Sequence, residues 1–344
     1  MAHNIDMSNN RANIAFLGSR DDVWHKLGQE MQPGQSIQEW AKQAGLDWTA
    51  VQVPAIASLA GAEFEHLPEG KRFVEVHDKR FIVRNDTGKV LGIASDSYKL
   101  VQPKDELDWF ERYISVDPRF QLDVAGSLRG GALIWATAKF NGDLDIAGDK
   151  HIARVLMSTT FDTSAPTMNR MTTTRVVCNN TFDVACTDSR AVVRTTHRSH
   201  FDAAKVGREL AALAQGVATY KAVGDALAQN EMTKEEVSSF FKACLDIPFD
   251  AKQEDVSSRK QNQFNDLSRA FGISARERNT SKPDAWTALQ AITRYVDHDR
   301  SARGDDNIAK ARFTSAQFGS GSALKAKAMN LLLPRVKDKV LVAA

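Results

Sequence analysis

RFQLDVAGSLRGGALIWATAKF, residues 119–140, decides how the rest of the chain is read. Two runs of apolar and β-branched residues flank Arg129-Gly130-Gly131, and the two glycines mark a turn between strands. The same character continues downstream through HIARVLMSTTFD (151–162), MTTTRVVCNNTFDVAC (171–186) and RAVVRTTHRS (190–199). Asn179-Asn180-Thr181 offers a competing helix start within the second of these. Upstream, KRFVEVHD (71–78), KRFIVRND (79–86) and NDTGKVLGIAS (85–95) predict a β-hairpin turning at Asn85–Gly88. SIQEWAKQAG (36–45) predicts a short helix, with Ser36 and Glu39 as a capping box and Gly45 as its stop. A second helix over 103–115 begins at Pro103 and carries Leu107, Phe110 and Ile114 on one face.

After Phe201 the pattern changes. Residues 202–230 are Ala-rich with Leu and Val at helical spacing, and Thr233 with Glu236 caps a further helix. A polar connection begins at 247, and 284–296 and 321–333 predict two more helices. The fold class is therefore α+β. A mainly antiparallel β-sheet with short helices fills the first 200 residues, and a helical part follows. The expected organisation is a flexible N-terminal tail (1–13), a β-rich α+β domain (14–200) and a helical C-terminal region (201–344).

The 344 residues are ordinary globular composition, 42% apolar and 26% charged. No apolar run approaches the ~18 residues of a membrane helix, and the N-terminus has no secretory pattern. Cys178, Cys186 and Cys244 form no C-x-x-C, which fits reduced thiols in a cytoplasm. No nucleotide-binding, zinc-protease or hydrolase motif is present, so the reading is non-catalytic, with no cofactor expected.

Net charge is +2, but it is unevenly spread. Residues 150–200 carry +4 and residues 301–344 carry +5, which leaves the remainder at −7. Six of the seven cations in the first segment are arginines, whose forked guanidinium suits phosphate oxygens. Arg129, Arg154, Arg170, Arg175, Arg194, His197, Arg198 and Lys325 are the candidate DNA contacts. Lys325 closes FGSGSALK (318–325), a Gly/Ser loop before a helix that has the composition of an anion nest. TRYVDHDR (293–300) gathers Asp297, His298 and Asp299, the residue types of a metal site. Adjacent helical positions point in different directions, so capping and ion pairing explain that cluster without a metal. Trp24, Trp40, Trp48, Trp109, Trp135 and Trp286 sit in apolar patterns and are expected in the core.

WHKLG (24–28), AGLDW (44–48), VLGIASDSYKLVQP (90–103), AGSLRGGALIWA (125–136), TTTRVVCNNTF (172–182), RTTHRS (194–199), TRYVDH and FGSGSALK together resemble the phage/plasmid-like protein family of unknown function, over roughly residues 14–333. The resemblance implies a setting on phages, prophages and conjugative plasmids, in the cytoplasm of a bacterial host. It carries over no site residue. Within that setting the expected function is single-stranded DNA binding and annealing in recombination or replication, similar in kind to RecT, Redβ and Erf proteins. That expectation makes the protein a homo-oligomer with nucleic acid as its partner and no membrane. The alternatives are a protein-binding counter-defence module that engages a host protein and a metal-dependent nuclease built on Asp297, His298 and Asp299.

Overall fold

The computed structural model describes residues 6–8, 11–19, 27–142, 144–163, 167–175, 181–183, 192–194, 203–300, 315–316 and 319–338. The 119–140 stretch forms β8 (Phe120–Leu128) and β9 (Leu133–Phe140), paired antiparallel. Gly130 and Gly131 have φ of 72° and 96°, and a Cβ on Gly131 would lie 2.8 Å from Trp48. Glycine is required there for both backbone sign and space.

β8 and β9 sit in the middle of a mainly antiparallel sheet. Its other strands are β3 (Ile14–Leu17), β4 (Gln29–Met31), β11 (Asp149–Thr160), β12 (Met168–Arg175) and β13 (Thr181–Asp183), in the order β13-β12-β11-β9-β8-β3-β4. β10 (Leu144–Ile146) pairs with β11, and β14 (Val192–Arg194) pairs with β12. Only β3 and β4 run parallel among these pairs. The strand Thr181–Asp183 stands where the asparagine pair offered a helix start. A second sheet orders β5 (Ala50–Ser58), β6 (Phe73–Arg84) and β7 (Val90–Ser95), with the β6–β7 turn at the expected asparagine.

The N-terminal residues are not a free tail where they are described. β1 (Met7–Ser8) and β2 (Arg11–Ala12) form a small ribbon. Beside it the Asp6 carboxylate accepts from Ser127 Oγ at 2.6 Å and from the Gly130 backbone N–H.

Helices α1 (Ile37–Gln43) and α2 (Pro103–Ile114) pack on one face of the large sheet, α1 with its Ser36–Glu39 capping box complete. α3 (Ala203–Ala228) covers the same face. Val206, Leu210, Leu213, Val217, Tyr220 and Leu227 recur at intervals of three, four or seven and are all buried. At 26 residues it is about 39 Å long. It crosses the β10–β11 hairpin at Gly224, where a Cβ would meet Ile146 at 2.6 Å. α4 (Lys234–Cys244), α5 (Ser258–Glu277), α6 (Ala285–Arg294) and α7 (Ser320–Leu332) complete the helical part. α5 starts inside the stretch read as a polar connection. Its sequence, SRKQNQFNDLSRAFGISARE, buries only Leu267, Ala270 and Ser274, so the apolar period is thin.

One apolar cluster runs from Ala15 and Met31 through Ala136, Val155 and Met171 to Leu210, Trp286, Met329 and Val336. The β-rich and helical parts therefore share a core. Trp40, Trp48, Trp135 and Trp286 are buried as expected, Trp109 is half-buried against Tyr113, and Trp24 lies outside the described residues.

Candidate nucleic-acid interface

Alternation assigns each strand residue of the large sheet to one of two faces. Along β11, Asp149, His151, Ala153, Val155 and Met157 turn toward the helices. Lys150, Ile152, Arg154, Leu156 and Ser158 turn away. Register extends the outward rows across the sheet. Lys139 of β9 and Thr172 of β12 stand opposite Arg154, Arg170 stands opposite Leu156, and Arg194 of β14 stands opposite Met168. Five cationic positions, Lys139, Lys150, Arg154, Arg170 and Arg194, thus fall on one face over four strands.

The inner half of that face is apolar, with Ile14, Phe16, Val124, Leu128, Leu133, Trp135 and Leu156 in a cluster of their own. The cations begin where the apolar rows end. Lys139 and Lys150 are exposed, Arg154 is half-buried and Arg170 is buried. Arg154 Nε donates to Asp123 Oδ2 at 2.6 Å, and Asp123 also accepts from Thr137 Oγ1. Asp123 is the residue skipped by the β8 register shift between Leu122 and Val124. The bulge thereby places a carboxylate between two strands, where it fixes the guanidinium.

Beside Lys139 and Lys150 the chain leaves a cleft of about 690 Å³, lined by these two lysines with Phe140, Asn141, His151 and Ile152 among others. The Arg119 guanidinium stands 5.3 Å from the centre of the Phe140 ring, and Asp117 holds it there through Oδ2 at 2.6 Å. That carboxylate is held below its ordinary pKa mainly by the Arg119 hydrogen bond. Phe140 alternates with Lys139 and so turns to the helical face, where its ring also meets Phe120 at 5.0 Å.

Beneath the cleft, His151 Nε2 lies 3.5 Å from Asp149 Oδ2, with both side chains buried. Asp149 Oδ2 accepts from Trp286 Nε1 at 3.2 Å. The His151 ring packs 5.6 Å from Trp286 and 6.2 Å from Tyr220. This cluster pins α3 and α6 to β11. Asp149 and His151 are two apart on a strand and so share a face, a spacing visible in GDKHIARV (148–155). Their common destination under a tryptophan 137 residues later is not visible there.

The other candidates scatter. Arg175 stands opposite His151 and so belongs to the helical face. Arg129 is in the β8–β9 turn, the length of β9 from Lys139, roughly 26 Å, with Asp162 at 3.2 Å. His197 and Arg198 lie outside the described residues. Lys325 is a correction to the anion-nest expectation. Its Nζ is buried 2.6 Å from Asp297 Oδ1, so the Gly/Ser loop has no exposed cation there. The same pair engages Asp297 of the proposed metal cluster, and Asp299 Oδ2 lies 4.0 Å from Arg294 Nε. These residues occupy a π-helical turn, Tyr295–Asp299, at the end of α6. Among the described residues no three potential metal ligands gather.

A family profile described as a domain of unknown function, DUF932, matches residues 90–316. No curated protein and no solved structure matches the chain.

Proposed function

The chain belongs to the DUF932 family, whose activity is unassigned, and from its own sheet we propose a non-catalytic DNA-binding protein of phages and conjugative plasmids. It acts in the host cytoplasm and holds single strands during recombination or replication. The observation that carries this reading is the register of Lys139, Lys150, Arg154, Arg170 and Arg194 on the sheet face turned from the helices. Lys139 and Arg154 stand side by side across neighbouring strands, with Lys150 four residues along β11 and Arg194 level with Ser158. The cations thus follow the strand direction over roughly 26 Å, with the buried Arg170 between them, a path a flexible phosphate backbone can take. The exposed Lys139 and Lys150 border an open cleft of about 690 Å³, wide enough for an unpaired strand to enter. Arg129 remains exposed enough to meet the same strand further along.

Binding of labelled single- and double-stranded DNA across about 50–300 mM salt tests this. Tight binding that prefers single strands and weakens steeply with salt is expected. Lys139→Ala and Lys150→Ala are both exposed positions, and each should lower affinity for all sequences alike and flatten the log–log salt slope by about one. No binding at the low-salt end, or a slope indifferent to both substitutions, overturns the reading.

A further inference from the structure

The three-stranded sheet has a second face that the body of the molecule does not cover. Among the described residues eleven large hydrophobic side chains are exposed, and eight of them are on β5, β6 and β7. Phe73, Ile56 and Val90 are 62%, 54% and 52% exposed. Register lines up Val51–Val83–Val90 and Val53–Phe81–Ile93 as two apolar rows on the outer face. Alternate positions Ala50, Ile82, Leu91 and Ala94 are buried on the inner face. Arg84, buried between Asp86 at 2.7 Å and the Trp48 ring at 4.5 Å, locks the sheet to the β8–β9 turn through the Gly130 carbonyl. An antiparallel sheet that is apolar on both faces is patterned for cover on both.

We propose that a second copy of this chain covers it, the two sheets stacking about 10 Å apart across a two-fold axis. Phe73 and Val74 are adjacent and point to opposite faces, so the outer face holds part of the eight, with Val51, Val53, Val90 and Ile93 at its centre. These expose a few hundred Å², the apolar centre of an interface whose polar rim completes the ~800 Å² each partner gives. Residues 50–95 contain six Lys and Arg and six Asp and Glu, a net charge of zero. Two copies of this sheet therefore meet without net repulsion, whereas an anionic membrane or a nucleic acid finds no excess of cations. Three of those six carboxylates, Glu63, Glu65 and Glu69, lie in the β5–β6 connection, where they disfavour an anionic surface. Apolar, charge-balanced surface is the composition of homodimer interfaces. The inference goes beyond the DNA reading and does not depend on it.

Sedimentation velocity of the full chain without nucleic acid, from about 1 to 100 µM, tests the proposal. Twice the chain mass is expected at the upper end. Val53→Asp and Ile93→Asp should each raise the midpoint concentration of association by about 100-fold or more, because each places an unpaired carboxylate in the apolar contact. DNA affinity per chain in the low-concentration limit should be unchanged. If an aspartate disturbs the strand by circular dichroism, Val53→Ser and Ile93→Ser are read in the same way. One-chain mass at every concentration, or association indifferent to both substitutions, overturns the proposal. So does a one-chain protein that instead binds anionic vesicles or a foreign protein through this face.

Discussion

Lys325 and Asp297 are buried together, with Nζ to Oδ1 at 2.6 Å, and a buried pair is far more sensitive to losing one member than to losing both. Asp297→Ala should therefore destabilise the protein by about 3–5 kcal/mol in urea unfolding, while Asp297→Leu with Lys325→Met costs much less. A near-neutral single substitution would show that water or another group compensates the ammonium. Cys244 is the described cysteine, and burial pushes its thiol up to about 12. At pH 8 its thiolate fraction is negligible, so iodoacetamide mapping should leave the Cys244 peptide unmodified until denaturant is added. Modification in the native state would mean that α4 opens readily.

At the scale of single elements, helix starts are the most sequence-legible features. Thr233 Oγ1 accepts from the Glu236 backbone N–H at 3.1 Å, and Glu236 Oε2 accepts from the Thr233 N–H at 2.8 Å. Thr233→Ala should cost about 1 kcal/mol. The Thr233 N–H, with Arg335 assisting, holds the Glu236 carboxyl below its ordinary 4.5. A lowered folded-state pKa gives stability that is present above about 4.5 and lost as pH falls through the folded value. Urea midpoints measured from pH 6 down to 3 should fall less steeply in Glu236→Gln than in the parent chain. Equal slopes would remove the capping box from the acid response. Capping boxes are local in sequence, as are the Asn85 turn and the glycines after Arg129, and all three are where the pattern places them. α5 escaped because its apolar stripe, Phe264, Leu267, Ala270 and Phe271, is narrow and confined to the middle of an otherwise polar sequence. The cationic face escaped in part because register decides it. Arg154 and Arg175 look equivalent in sequence, yet pairing sends them to opposite faces, while Lys139 enters from a strand where it stands alone.

On the scale of the whole molecule, the shared core ties residues 14–200 to the helices that follow. Ala153, Val155, Met157 and Met171 are buried in the same cluster as Leu210, Leu213 and Trp286. A fragment ending at residue 200 should lose the dispersed amide spectrum of a folded sheet and expose dye-binding apolar surface, whereas the full chain unfolds in one urea transition. A well-dispersed spectrum from the fragment would make the β-rich part an independent domain. The cluster at Asp149, His151, Trp286 and Tyr220 fastens the two parts, with its strand residues and its tryptophan 137 positions apart. That separation is also an interval of time. A ribosome adding about 5–20 residues per second needs roughly 7–30 s to pass from the strand to the tryptophan that covers it. For that interval α1, α2 and α3, all made earlier, can cover only part of the sheet, and the patch at His151 waits for its tryptophan lid.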